Sequence, residues 1–128
     1  MKISLGAVGH FGLAVRDVAR AEAFWTKNFD LHEIFRFPDG VGLSNENVTI
    51  VLSRGEPHPE TIDHMSFHLT GMDELDAALE QLKKNGVDLE DPGDEIGPEA
   101  LGSPHYGLWF HDPDGYRWEL SVQNARSR

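Results

Sequence analysis

Cysteine is absent from this 128-residue sequence. Disulfides, thiolate metal sites and cysteine nucleophiles are thereby excluded, while the redox compartment stays open. Long apolar runs are also missing. The apolar stretches are short and interrupted by breakers, so no membrane span is expected. The opening Met1-Lys2-Ile3-Ser4-Leu5-Gly6 lacks the apolar core of a signal peptide, and a cytoplasmic location is the expectation. Basic residues are scarce, with 11 Lys and Arg against 22 Asp and Glu and a net charge of -11. That balance disfavours nucleic acid and anionic membranes as partners. It suits a cationic ligand, although solubility alone accounts for it.

What is present is an ordinary globular composition, 39% hydrophobic. The length fits a single domain over residues 1–128. Residues 124–128 are expected to fray.

Within that domain one unit is written twice. His10-Phe11-Gly12-Leu13-Ala14-Val15 lies against His64-Met65-Ser66-Phe67-His68-Leu69. Each begins with His, carries apolar residues three and five places on, and alternates as a half-buried strand does. A helix follows each. In the first copy Asp17 is placed to N-cap a helix through about Asn28, with Val18, Ala21, Phe24 and Trp25 as its apolar stripe. In the second, Asp73 starts a helix through about Asn85, striped by Leu75, Ala78, Leu79 and Leu82 and stopped by Gly86. Strands are then expected at 33–37, 41–43 and 48–53, and at 87–89, 106–111 and 116–122. Each copy thus reads β-α-β-β-β, as modules at 7–55 and 62–123 joined by a Pro-rich, charged link.

Strand alternation gives each module two faces. Phe11, Leu13 and Val15 point to the helix, and His10, Gly12 and Ala14 point away. In the second module Met65, Phe67 and Leu69 oppose His64, Ser66 and His68. On the last strand Trp118, Leu120 and Val122 oppose Glu119 and Ser121. The helix-free faces therefore carry His10, His64 and Glu119 among small residues. Two imidazoles and a carboxylate are a suitable ligand set for a divalent metal with open positions for substrate or water. A wet, open sheet face accounts equally for Glu119 and Ser121, but not for two His opening matched strands.

The residues His10-x-x-Leu13-x-Val15-x-Asp17, Ala23-Phe24-Trp25, His64 and Asp112-Pro113-Asp114-Gly115-x-x-x-Glu119-Leu120 resemble the vicinal oxygen chelate superfamily. That superfamily includes glyoxalase I, bleomycin-resistance proteins, fosfomycin-resistance transferases and extradiol dioxygenases. The resemblance spans residues 7–123. It implies an α+β fold in which paired βαβββ modules form a curved, partly open mixed sheet around a central cavity. It implies His10, His64 and Glu119 as ligands of a divalent metal (Fe, Mn, Ni or Zn), a small-molecule substrate and a homodimer. It also exposes departures. Val51 stands where glyoxalase I adds a fourth ligand. Trp109 replaces the Tyr that extradiol dioxygenases and fosfomycin transferases carry ten places before the Glu. Ile50 stands where extradiol enzymes tend to carry a further His, and Gly12 where fosfomycin transferases carry Thr.

His68 on the helix-free face, with His105 and Tyr106 at the end of the Pro/Gly-rich loop, are the further catalytic candidates. Phe35, Phe37 and Trp109 suit either stacking on a ligand or packing in a core. Two functions remain open: a metal-dependent enzyme of the glyoxalase/dioxygenase kind, and a binding protein that sequesters a small molecule without chemistry. A degenerate member with an empty site is a third.

Overall fold

The computed structural model describes residues 1–90 and 96–124. The expected frayed end beyond Asn124, and residues 91–95 of the Pro/Gly-rich loop, lie outside the described residues. Two compact units divide the chain at Pro57 and His58.

The first unit begins with β1 (His10–Val15) and α1 (Val18–Asn28). β2 (His32–Phe37), β3 (Gly40–Ser44) and β4 (Thr49–Arg54) complete it. The sheet order is β1-β4-β3-β2, with β1 parallel to β4 and the other pairs antiparallel. The Asp17 carboxylate accepts from the Arg20 backbone N–H at 3.1 Å, fixing the helix start where expected. Ala21 and Trp25 of α1 are buried, as are Leu13, Val15, Val41, Leu43, Ile50 and Leu52 of the sheet. Each large apolar side chain sealed in this way contributes about 1.5–3 kcal/mol.

The opposite face is built from small residues. Register places Gly12, Val51, Gly42 and Phe35 in one row, and Ala14, Ser53, Gly40 and Phe37 in the next. An extra residue in β2 between Glu33 and Phe35 shifts the register, and this bulge aims both phenylalanines at that face. Their rings stack at 6.0 Å and lie over Gly42 and Gly40, where any Cβ would collide with them. Phe35 remains 44% exposed.

In the second unit a 3-10 turn (Pro59–Thr61) leads to β5 (Met65–His68) and α2 (Met72–Lys84). β6 (Asp88–Leu89), β7 (Ile96–Pro98), β8 (Tyr106–His111) and β9 (Arg117–Val122) follow. The order is β5-β9-β8-β6, with β5 parallel to β9 and β7 also paired to β8. α2 starts at Met72, one residue before the sequence expectation, because the Met72 side chain is buried with Leu75 and Leu82. Gly86, at φ +71°, ends it as expected, and Val87 N–H closes onto the Leu82 carbonyl at 3.0 Å.

A single strand was expected before β8, and two short ones occur. β6 and β7 pair successive stretches of the same β8 edge, Leu89 opposite Phe110 and Ile96 opposite Leu108. Together they form one interrupted edge strand. Its second half is written in Gly and Pro, which hide a strand from any alternation pattern.

The Asp112-Pro113-Asp114-Gly115 segment turns β8 into β9. Asp112 Oδ1 accepts from the Asp114 and Tyr116 backbone N–H groups, both at 3.0 Å. Its Oδ2 accepts from Trp118 Nε1 at 3.1 Å, and Gly115 supplies the positive φ of +90°. The described residues hold two helices and nine strands in two mixed sheets, neither of them closed, which is the α+β class expected. Among them no helix is long and apolar enough to cross a membrane.

Candidate functional site

β9 is an interior strand of the second sheet and its residues from Trp118 to Val122 are buried. Glu119, on the face away from α2, is only 2% exposed. A wet sheet face therefore does not account for it. Across the sheet it stands between Ser66 on β5 and Trp109 on β8. Its carboxylate lies over Gly107, where the missing side chain makes the space it occupies. Among the described residues, Oε2 is buried without a hydrogen-bond partner.

Burial raises the Glu119 pKa above the ordinary carboxylate range. The nearby Glu99 carboxylate adds to this rise, while the Ser66 hydroxyl, His64 and Arg117 oppose it. Desolvation is the largest of these effects. A buried carboxylate with an empty oxygen is costly unless a cation or a proton joins it.

His64 immediately precedes β5 on the adjacent edge. Its Nδ1 lies 2.6 Å from Asp63 Oδ2. The hydrogen bond with His64 holds the Asp63 pKa below its usual range, so Asp63 is an ionised acceptor. In the neutral ring, a carboxylate acceptor at Nδ1 favours the proton there and leaves the lone pair that a metal ligand needs on Nε2. The imidazole meets the Trp109 ring edge-on at 4.8 Å. On the same indole the Arg117 guanidinium lies 4.1 Å from the ring centre.

His10 opens β1 opposite Thr49, exposed on the first unit. His68 is exposed, with Nε2 meeting the Gln123 amide at 3.2 Å. His105 accepts at Nδ1 from the Asn124 backbone N–H at 3.1 Å. Tyr106 is half-buried as the first residue of β8, paired with Val122 and Pro98. His68 and His105 thus tether the end of β9. His64 and Glu119 share one sheet. Among the described residues, no three His, Asp or Glu side chains are gathered as a ready cation cluster.

Sequence reasoning missed Asp63, Glu99 and Gly107. Asp63 carried a signal in its adjacency to His64. Glu99 sits beyond β7 in the Gly/Pro-rich stretch, where no periodicity points to its direction. The Glu119 oxygen without a partner among the described residues and the His64 imidazole make a donor pair that fits a divalent first-row metal.

The family described as the Glyoxalase/Bleomycin resistance protein/Dioxygenase superfamily matches residues 7–120. A trivalent organoarsenical cleaving enzyme of Bacillus sp. (strain MD1) is 28% identical over 115 residues, covering 87% of this chain and 70% of that protein. A fosfomycin resistance protein from Listeria monocytogenes has a similar fold, with TM-score 0.77, 22% identity and coverage of 93% and 94% of the two chains. Lactoylglutathione lyase from Agrobacterium tumefaciens aligns at TM-score 0.73 with 18% identity, covering 92% of this chain and 94% of that one.

Proposed function

Because this chain belongs to the glyoxalase/bleomycin resistance protein/dioxygenase superfamily, we propose that it is a metal-dependent enzyme acting on a small oxygenated molecule. The observation that carries this reading is the buried Glu119 carboxylate with its unpartnered Oε2. His64 and Glu119 would supply two ligands to Fe(II), Mn(II), Ni(II) or Zn(II). His10, the counterpart of His64 in the repeat, is the third candidate, and its role rests on the sequence pattern. When bound, such a metal would polarise a substrate oxygen and stabilise negative charge on it. The chain's own residues would hold it and exclude bulk water around Glu119. His68, His105 and Tyr106 are candidates for proton transfer. Their surroundings favour His105 and His68 as holders of the β9 end over movers of a substrate proton.

The similar Bacillus protein is an enzyme that cleaves trivalent organoarsenicals. Trivalent arsenic is a soft centre that favours thiolates. This chain has no cysteine, so oxygen-rich substrates suit it better than an arsenical held by the protein. A homodimer is the proposed assembly, since both sheets end in edge strands that a second copy would cover.

The test is elemental analysis of protein purified without chelator, alongside His64→Ala, Glu119→Ala and His10→Ala. Wild type should carry near-stoichiometric metal and the variants far less. Equal, negligible metal in all four would overturn the reading. The stacked Phe35–Phe37 pair, with Phe35 exposed, favours a second reading, sequestration of an aromatic ligand without chemistry. Ligand binding that persists after loss of all three candidate ligands would select it.

A further inference from the structure

The environment of His64 contains more restraint than an exposed imidazole needs. Its side chain is 38% exposed, and an exposed His–Asp neighbour pair by itself is worth little. Here the two contacts on the ring are themselves tied together. Arg117 Nη1 reaches the same Asp63 Oδ2 at 3.4 Å and its guanidinium covers Trp109. Arg117 is anchored in turn by two bonds to Glu90, at 2.6 and 3.0 Å. One cation thus fixes both the acceptor at the His64 nitrogen and the indole against its edge.

We propose that Asp63 and Trp109, braced by Arg117, are positioning residues that hold His64 in the Nδ1–H tautomer with Nε2 turned out as a ligand. This rests on the reading of His64 as a ligand. Chemistry supports the assignment. A carboxylate at one imidazole nitrogen selects the tautomer, orients the ring and strengthens the other nitrogen as a donor. Trp109 carries an indole N–H that neither accepts nor relays a proton at neutral pH. Its use here is as a surface that stops the imidazole from rotating.

Two measurements on the full chain test this. The first is long-range 1H–15N NMR of metal-stripped, 15N-labelled protein at about pH 9, where imidazole is neutral, with His64 assigned by loss of its signals in His64→Gln. Wild type should show the Nδ1–H form. Asp63→Ala should move the population toward Nε2–H, while Asp63→Asn, whose amide oxygen still accepts, should retain Nδ1–H. A wild-type Nε2–H form, or an unchanged tautomer in Asp63→Ala, would overturn the proposal. The second is Co(II) titration followed by visible absorption. Asp63→Ala and Trp109→Ala should bind about 10–100-fold more weakly, with Trp109→Phe close to wild type. Unchanged affinity in Trp109→Ala would remove Trp109 from the brace. Wild type that takes no Co(II) while holding the Nδ1–H tautomer would defeat the metal reading and not the brace.

Discussion

The carboxylate of Glu119 rests over the bare Cα of Gly107 on the neighbouring strand, where any Cβ would run into it. Both residues lie on interior, paired strands, so neither backbone can yield cheaply. Gly107→Ala should destabilise the chain by about 1–3 kcal/mol through overpacking. Under the proposed metal binding, it should also abolish the rise in melting temperature expected of wild type on addition of Co(II) or Mn(II). Trimming Glu119 to Ala in the same chain should restore much of the lost stability, since the colliding atoms are gone. Simple additivity of the two changes in a double-mutant cycle would contradict the contact.

The empty oxygen of Glu119 makes a second expectation. In excess chelator near neutral pH, Glu119→Gln should be more stable than wild type by about 1 kcal/mol, because a buried charge without a compensating cation is removed. With metal added the order should reverse. Urea unfolding in the two buffers gives both numbers. A variant less stable than wild type in both would mean that the carboxylate is already satisfied within the fold.

Asp112 closes the β8–β9 turn with three accepted hydrogen bonds, one from Trp118, the neighbour of Glu119. Asp112→Ala should cost about 2–4 kcal/mol and weaken metal uptake, because the turn sets where β9 begins. Calorimetric melting together with a Co(II) titration would show both losses. An unchanged Co(II) affinity at lowered stability would confine Asp112 to folding alone.

Arg117 holds the Glu90 carboxyl below the usual carboxylate range through their hydrogen bonds. A depressed native pKa contributes stability that is present above the unfolded value, about 4.3. That contribution is lost as pH falls through the lower native value. The stability gap between wild type and Glu90→Gln should therefore be full at about pH 6 and close toward about pH 3. A constant gap across that window would assign the effect to packing.

Much of the fold was legible because its signals are local. Asp17 as a cap, Gly86 as a stop and the turn after His111 each follow from what one residue does to its own backbone. Alternation placed Leu13 and Val15 under α1 correctly. β7 escaped because glycine and proline carry no face preference. The site was legible only in part. Burial of Glu119 on β9 depends on what neighbouring strands place over it, which no strand's own pattern records. Asp63 and Arg117 were invisible as a pair because their meeting is set by the β5–β9 register. The bulge that turns Phe35 was equally hidden, being a relation between two strands.

That bulge has a consequence for anyone altering the chain. Phe35, Phe37, Gly40 and Gly42 fit as two rings on two bare backbones. A methyl at Gly42 would displace the Phe35 ring, and one at Gly40 would meet both the Phe37 ring and the Leu52 backbone carbonyl. Gly42 and Phe35 are thus a pair to be exchanged together, whereas Gly40 is held by the β4 backbone as well as by a ring, and enlarging it would require that strand to move.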